Sequence, residues 1–201
     1  MLSYTGLGQL GTAAVWPQAV GKQLQPKDHC LESLLIISGT MGAGKTTVMA
    51  EASDILSLHK ITHAAIDLDA LGLAYLPDVK PTDAIMYNNL KSVCENYSSL
   101  GIQRLLLARA IQDRAELDLC RSVVSATNTI ICRLNASPAL MAQRVAMRES
   151  GMLRDGFIAR SAELNAILDE AQLEDFSITN EDRPLQEIAR EMLVRAGWIS
   201  N

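Results

Sequence analysis

The stretch SGTMGAGKTT, residues 38–47, follows the apolar run LLII and satisfies the pattern G-x-x-x-x-G-K-[ST] through Gly39, Gly44, Lys45 and Thr46. Phosphate oxygens need several donors that converge on one point. A glycine-rich loop can turn its backbone N–H groups inward because no Cβ restricts its angles. The helix predicted to begin at Lys45 adds free N–H groups and the positive end of its dipole. The stretch therefore predicts a nucleoside triphosphate site between a strand and a helix.

The whole loop is expected to surround the phosphates of this nucleotide. We expect Lys45 to reach the terminal phosphates and the Thr46 hydroxyl to bind Mg²⁺. The predicted nucleotide-binding residues are Gly39, Thr40, Met41, Gly42, Ala43, Gly44, Lys45, Thr46 and Thr47. The alternative is a glycine-rich turn with a solvated lysine. The apolar strand before the loop and the amphipathic helix after it argue against that alternative.

The composition is typical of a folded domain rather than of a nucleic-acid-binding protein. The chain has 201 residues, of which 48% are hydrophobic, and this predicts one domain with a buried core. A net charge of −5 argues against the basic face that nucleic acid requires. No apolar run approaches the ~20 residues of a membrane span, and a secretory signal is not recognisable. The four cysteines have no C-x-x-C spacing, so we expect a cytoplasmic protein with buried or incidental thiols.

Strand and helix signals alternate from Leu31 onward, whereas residues 1–30 show no sustained periodicity. We predict a loosely ordered N-terminal extension over residues 1–30 and an α/β domain with a parallel sheet over residues 31–201. The predicted strands cover residues 34–38, 62–67, 103–108, 129–134 and 176–179. The predicted helices cover residues 45–58, 82–98, 112–124, 138–150, 157–172 and 184–196, with Ser137 as the N-cap of the fourth.

Two acids, Asp67 and Asp69, follow the second predicted strand. The first two strands and the helix between them form a parallel crossover, so the acids leave the sheet at the same edge as the phosphate loop. One carboxylate could support Mg²⁺, and the other could accept the proton of an attacking hydroxyl. We assign the metal role to Asp67 with Thr46, and a catalytic role to both acids. The alternative is that one acid caps the next turn while the other is solvated.

The third predicted strand, RLLLA, is followed by Arg109 and not by an acid. Motor and switch NTPases usually place an aspartate at such a position, where it orders Mg²⁺ and water. Arg109 could pair with a substrate anion, or it could form an ordinary ion pair. The missing acid argues against a machinery specialised for hydrolysis.

The phosphate loop GTMGAGKTT, the D-x-D after the second strand and the order of the later elements resemble the small P-loop kinases. These include the shikimate, gluconate and adenylylsulfate kinases, the nucleoside monophosphate kinases and chloramphenicol phosphotransferase. The resemblance spans about residues 34–197, and uncharacterised bacterial ATP-binding proteins of this class are also similar, down to a final helix closing with Gly-Trp. It implies a three-layer αβα sandwich with a five-stranded parallel sheet, ATP with Mg²⁺ as the donor, and a small-molecule acceptor.

The resemblance also implies a short lid, which would fall at residues 144–160. Arg144 and Arg148 lie four apart on one helical face. Lid arginines of the family lie over the transferring phosphoryl group and offset its charge, so both are candidate catalytic residues. Arg154 and Arg160 are weaker candidates, and Gly151 and Gly156 are expected hinges. The alternative is a solvated helix face.

Two further segments match positions that relatives use for binding. Residues 75–89 lie where relatives position the acceptor, with Lys80, Tyr87, Asn88 and Asn89 as candidate contacts, but a helix start capped by Thr82 or Asp83 is the favoured interpretation. Residues 179–183 lie where relatives hold adenine. His59 and His63 are not expected to form a metal pair, because His63 falls in a predicted strand. Trp16 and Trp198 are expected to pack in the protein.

Three functions follow from these patterns. The first is an ATP-dependent kinase that phosphorylates a hydroxyl of a small molecule, with Asp69 or Asp67 as the base and a monomer or homodimer as the active form. The second is a nucleotide-binding regulator or weak ATPase without such an acceptor. The third is a kinase acting on a macromolecule such as RNA ends or a peptidoglycan precursor, of which the acidic composition disfavours RNA.

Overall fold

The computed structural model describes residues 31–74, 83–148, 151 and 154–200, so the predicted N-terminal extension lies outside the described residues. The strands are β1 (Ser33–Ser38), β2 (Ala64–Asp67), β3 (Arg104–Ala108), β4 (Asn128–Asn135) and β5 (Phe176–Thr179). The helices are α1 (Lys45–Leu58), α2 (Asp83–Ser99), α3 (Arg114–Val124), α4 (Pro138–Arg148), α5 (Arg154–Ala171) and α6 (Leu185–Arg195). A 3₁₀ turn, Leu68–Gly72, follows β2.

The five strands form one parallel sheet in the order β2-β3-β1-β4-β5. Ile37 of β1 is level with Ala108 of β3 on one side and with Cys132 of β4 on the other. The first strand of the chain therefore lies in the middle of the sheet, and the loop that follows it leaves from the centre of one edge. The predicted fold class, α/β with a five-stranded parallel sheet, is confirmed.

Helices cover both faces of the sheet, and each face has its own hydrophobic core. Leu35 and Ile37 of β1 belong to one core, which α1 and α6 complete. Leu34 and Ile36 point to the opposite face and belong to the other, which α2 and α3 complete. All four side chains are fully buried, and this explains why β1 is a continuous apolar run rather than an alternating one.

The sequence predicts the elements closely, and the second strand and the fifth helix show two of the differences. The second strand starts at Ala64 and not at residue 62, because Ile61 N–H still bonds to the Leu56 carbonyl at the end of α1. The fifth helix starts at Arg154 and includes Gly156, so one expected hinge lies inside a helix. The other, Gly151, has a φ of 108°, which favours glycine.

Trp198 and the described cysteines are buried, in agreement with the packing role expected for Trp198. Trp198 is buried, and its indole N–H donates to Ser33 Oγ at 3.0 Å. His63 lies directly before β2 and not in it as predicted, and its ring bonds to Ser53 Oγ and to the Ile61 carbonyl. Burial raises the pKa of three free cysteines, Cys94 to about 11 and Cys120 and Cys132 to about 12. Trp16 lies outside the described residues.

Within the described part of the chain, no helix is long and apolar enough to cross a membrane.

Candidate active site

The loop between β1 and α1 curves around an open centre, and its glycines have backbone angles that other residues avoid. Gly39, Gly42 and Gly44 have φ values of 141°, 82° and 93°. A Cβ on Gly42 would lie 2.5 Å from the Met141 carbonyl oxygen, and one on Gly39 would lie 2.7 Å from the Leu134 carbonyl oxygen. The loop is therefore packed closely against the end of β4 and the start of α4, and only glycine fits at these two positions.

Lys45, the first residue of α1, folds back over this loop. Its Nζ donates to the Gly39 carbonyl at 2.9 Å and to the Thr40 carbonyl at 3.2 Å. Burial lowers the pKa of Lys45, while the charges of Asp69 and Asp67 act in the opposite direction. A half-buried ammonium is a stronger partner for an anion such as a terminal phosphate than a fully solvated one.

The hydroxyl of Thr46 and the carboxylate of Asp67 are in contact. Thr46 Oγ1 donates to Asp67 Oδ2 at 2.7 Å. Asp67 is the last residue of β2, and its Oδ1 accepts the N–H of Asp69 at 3.2 Å, so it also caps the 3₁₀ turn. Mg²⁺ prefers oxygen ligands and is usually held by one or two carboxylates together with phosphates. The donor set fits that ion, although the described residues contain no group of three or more His, Cys, Asp or Glu arranged around a metal.

Asp69 forms an ion pair with Arg109. Arg109 Nη1 donates to Asp69 Oδ1 at 2.5 Å, and its Nε and Nη2 both lie 2.8 Å from Glu116 Oε1. Burial alone would lower the pKa of Arg109, but the two carboxylates outweigh it and raise the pKa above its ordinary value. Of the two expectations for Arg109, the ion pair is the one present.

Glu116 is the centre of this polar network. Its Oε1 also accepts the hydroxyl of Tyr87 at 3.1 Å, and its Oε2 accepts the backbone N–H of Gln112 at 2.8 Å. Burial, followed by the charge of Glu116, raises the pKa of Tyr87. The sequence singled out Tyr87 as an acceptor contact and gave no signal for Glu116. The structure instead uses Tyr87 to support the glutamate that holds Arg109.

The predicted acceptor contacts on α2 do not line the cleft. Tyr87 is buried, and Asn89 donates to the Leu71 carbonyl at 2.8 Å. The favoured interpretation of this segment as a helix start agrees with these contacts and with the beginning of α2 at Asp83. Lys80 and Thr82 lie outside the described residues.

The two arginines of α4 that were expected to belong to a lid, Arg144 and Arg148, line the cleft beside the phosphate loop. Arg144 donates to the Gly42 carbonyl at 3.3 Å and to the Asn180 carbonyl at 3.1 Å. Arg148 lines the same cleft, and its charge contributes to the lowered pKa of Lys45. Arg160 bonds instead to Glu163 and Gln112, and it does not line the cleft; nor does Arg154.

Among the residues that the sequence did not single out individually, two bond to the loop from other elements and a third lines the cleft. Ser161 of α5 accepts the Thr40 hydroxyl at its carbonyl (2.7 Å) and donates its own hydroxyl to the Met41 carbonyl (2.8 Å). Asn180, directly after β5, donates to the Ala43 carbonyl at 2.8 Å. Phe157, one turn before Ser161, lines the cleft. The only sequence signal was positional: Asn180 belongs to residues 179–183, the segment expected near adenine.

These groups surround one cleft of about 1010 Å³, at the edge of the sheet where β1 and β2 end. It is large enough for a nucleotide with a small second molecule beside it. Of the predicted nucleotide-binding residues, Gly39 and Ala43 belong to the loop but do not line the cleft. The lining residues are Thr40, Met41, Gly42, Gly44, Lys45, Thr46, Thr47, Asp67, Asp69, Ala70, Leu73, Arg144, Val145, Arg148, Phe157, Asn180, Arg183 and Leu185.

Comparison with solved structures shows where this fold occurs. The tunicamycin resistance protein of Deinococcus radiodurans matches with a TM-score of 0.60 and 15% identity over 84% of this chain and 97% of that one. A gluconokinase from Sinorhizobium meliloti 1021 matches with a TM-score of 0.56 and 18% identity over 84% and 93% of the two chains. The APS kinase CysC of Mycobacterium tuberculosis, in complex with AMPPNP and APS, matches with a TM-score of 0.55 and 18% identity over 82% and 96%.

These similarities establish that the chain has the fold of the small P-loop kinases. No protein-family model matches the sequence, and no curated protein matches it either.

Proposed function

We propose that this protein is an ATP-dependent phosphotransferase that moves the γ-phosphate of ATP to a hydroxyl of a small acceptor. The observation that carries the proposal is the composition of one cleft. It brings together a glycine-rich loop, the Thr46–Asp67 pair, a second acid and two arginines. A protein that only held a nucleotide would need the loop but not a second carboxylate within reach of Lys45.

The phosphate side of the cleft would hold ATP. Backbone N–H groups of the loop and Lys45 would bind the phosphates, and Thr46 with Asp67 would hold Mg²⁺. Bound there, Mg²⁺ would offset negative charge on the phosphate oxygens. Arg144 and Arg148 come from the predicted lid and would meet the charge that develops on the transferring phosphoryl group. AMPPNP, bound in the APS kinase of this fold, is an ATP analogue, and this supports ATP as the donor.

Asp69 is the better candidate for the base. Asp67 is already bound by the Thr46 hydroxyl, whereas Arg109 contacts only Oδ1 of Asp69 and leaves Oδ2 to accept a proton. The acceptor hydroxyl would give its proton to Asp69 while its oxygen forms a bond to the γ-phosphorus. The bond from that phosphorus to the bridging oxygen would break, and ADP would leave with the electron pair.

An acceptor screen tests the proposal. ADP release from ATP would be followed across pools of sugars, nucleoside monophosphates, adenylylsulfate, and aminoglycoside- or chloramphenicol-like alcohols. We expect one pool to raise ADP release well above the rate without acceptor. Lys45→Ala should abolish ATP binding, and Asp69→Asn should keep ATP binding but lose the acceptor-dependent release. The same background release in every pool would favour a nucleotide-binding regulator or weak ATPase instead.

A further inference from the structure

Helix α5 presents a polar stripe to the rest of the protein. Ser161, Asn165 and Asp169 are four residues apart, so they lie along one face of the helix. Ser161 is only 5% exposed and bonds to the phosphate loop. Asn165 and Asp169 bond instead to Arg133 of β4. One end of the stripe therefore contacts the candidate nucleotide site, and the other end contacts the sheet.

Apolar packing contributes little to the position of α5. Its buried leucines, Leu164 and Leu168, form a small cluster with Ala110 and belong to neither of the two large cores. The helices α1, α2, α3 and α6 all take part in those cores. Apolar burial is non-directional, whereas charge-assisted hydrogen bonds have a specific geometry. The polar stripe is therefore the feature that determines where α5 lies.

Ser161 bonds to two consecutive residues of the phosphate loop. Its carbonyl accepts the Thr40 hydroxyl at 2.7 Å, and its own hydroxyl donates to the Met41 carbonyl at 2.8 Å. The C=O and the following N–H of a trans peptide point in opposite directions. A fixed Met41 carbonyl therefore fixes the direction of the Gly42 N–H, one of the groups expected to donate to phosphate.

Arg133 holds the other end of the stripe, and it is a buried charge. It follows Ile131 by two residues on the same face of the sheet, and its side chain is only 6% exposed. Its Nη2 donates to Asp169 Oδ1 at 2.6 Å and to Asn165 Oδ1 at 3.2 Å. Its Nη1 lies 3.6 Å from Glu174 Oε1, and its Nε has no hydrogen-bond partner among the described residues.

The stability of the sheet does not explain this arginine. Burying a guanidinium is costly, and apolar residues of similar volume are often as stabilising as a buried ion pair, or more so. An apolar side chain could not form directed bonds to two positions of α5, as Arg133 does. These contacts indicate that Arg133 determines the position of the helix.

We propose that Arg133 and Ser161 are positioning residues for ATP: Arg133 fixes α5 on the sheet, and Ser161 fixes the phosphate loop in the conformation that binds phosphates. This inference rests on the nucleotide site of the proposed function and does not require phosphoryl transfer. Neither residue lines the cleft, so both act through the loop. Loss of either one should lower the fraction of molecules whose loop is ready to bind, and the apparent affinity for ATP falls by that factor.

Two ligands distinguish this role from a general effect on the fold. ATP would contact the loop through its phosphates, whereas adenosine has none. Both Kd values can be measured by competition with a fluorescent ATP analogue. We expect Ser161→Ala to raise the Kd for ATP about fivefold, because one bond to the loop is lost, and to leave the Kd for adenosine unchanged.

Ser98→Ala is the matched control. Ser98 is also a buried helix serine, at 8% exposure. It lies near the end of α2, which leads into the start of β3, whereas the cleft lies where the strands end. This variant should leave both Kd values unchanged.

Two further variants test the other end of the stripe. Arg133→Met removes the charge and keeps an unbranched apolar side chain. We expect the Kd for ATP to rise about threefold, while the Kd for adenosine is unchanged and Tm stays the same or rises. Asp169→Ala removes the 2.6 Å bond from the exposed side of α5 and should raise the Kd for ATP in the same direction.

The outcomes separate this inference from the proposed function. An unchanged ratio of ATP to adenosine affinity in Ser161→Ala, or in both variants at the Arg133 end, would overturn the positioning role and leave the phosphotransferase intact. ATP binding without acceptor-dependent ADP release would overturn the phosphotransferase, and the positioning role would still be tested through Kd. Failure of the original protein to bind ATP would overturn both.

Discussion

The cleft has a phosphate half, which consists of loop residues 40–47 with the arginines of α4, and an acceptor half, which consists of Asp69, Ala70 and Leu73 after β2. The two halves are built in different ways. Main-chain groups form the phosphate half: three glycines with positive φ, the start of α1 and carbonyls that hold Lys45. Side chains from separate elements form the acceptor half, where Asp69 is 40 residues from its partner Arg109. A site made of main-chain groups needs particular residues, such as glycine, at a short fixed spacing in the sequence. A site made of side chains can take them from distant elements that the fold brings together. This difference explains why one half is evident in the sequence and the other is not.

Among the changes that leave every side chain of the cleft in place, the largest expected effect comes from adding one methyl group to the phosphate half. Gly42→Ala places a Cβ against the Met141 carbonyl at a φ of 82°, so the loop must shift. We expect affinity for ATP to fall at least about 100-fold, because the N–H groups no longer converge on the phosphates. Titration with a fluorescent ATP analogue measures this.

The matched control is Gly156→Ala in α5, where a Cβ meets open space and the backbone is helical. It should leave ATP affinity unchanged and raise stability by about 0.5–1 kcal/mol. Equal losses of ATP affinity in the two variants would show that the loop geometry does not determine binding.

The two acids at the boundary of the halves provide the next test. Asp67→Asn weakens the Thr46–Asp67 pair, so the Mg²⁺ concentration needed for half-maximal nucleotide binding should rise about tenfold. Asp69→Asn makes the same chemical change two residues away, at a carboxylate turned to Arg109, and should not shift the Mg²⁺ requirement. A Mg²⁺ titration of nucleotide binding distinguishes them. A larger shift for Asp69→Asn would exchange the roles of the two acids.

The fold could be predicted from the sequence because its signals are local. Helix α1 spans the predicted residues 45–58, since the last glycine of the loop fixes its start and residues 59–61 close its end. Strands β1 and β5 were likewise predicted within one residue at each end. The edge at which Asp67 and Asp69 lie followed from the handedness of a single crossover.

The contacts of the acceptor half could not be predicted, because they depend on how distant elements pack. Tyr87 was considered for substrate binding, yet it is buried and bonds to Glu116 of α3. Nothing in the sequence distinguishes Glu116 from other helix glutamates, although it determines where Arg109 points. Ser161 was missed for the same reason, since its partners lie about 120 positions away in the phosphate loop.

A smaller effect is expected from the network behind the acceptor half. Tyr87→Phe removes the buried hydroxyl that donates to Glu116, which should lower the free energy of unfolding by about 1 kcal/mol. ATP affinity should not change, because the phosphate half is untouched. Tyr97→Phe removes the same atom from the same helix at a half-buried position outside this network, and its effect should stay within about 0.5 kcal/mol. Denaturant unfolding of both variants would show whether the network stabilises the fold.

The smallest expected effect concerns Glu181, which joins the segment after β5 to the start of α4. Ser137 donates its hydroxyl and its backbone N–H to Glu181, each at 2.8 Å, and these two bonds lower the pKa of Glu181 below its ordinary 4.5. A lowered pKa stabilises the folded state above the unfolded value, and this contribution is lost as pH falls through the folded value. Glu181→Gln should therefore lower Tm most at pH 7. The difference from the original protein should shrink as the pH falls below 4.5.

Thermal unfolding at pH 7, 5, 4 and 3 measures this trend. Ser137→Ala removes the hydroxyl donor and keeps the backbone one, so it should give a smaller loss of Tm with the same direction of pH dependence. A constant Tm difference at every pH would mean that Glu181 supports α4 by packing alone. The phosphate half would then depend on the Arg144 and Asn180 contacts for its connection to α4 and β5, and would gain nothing from the charge of this acid.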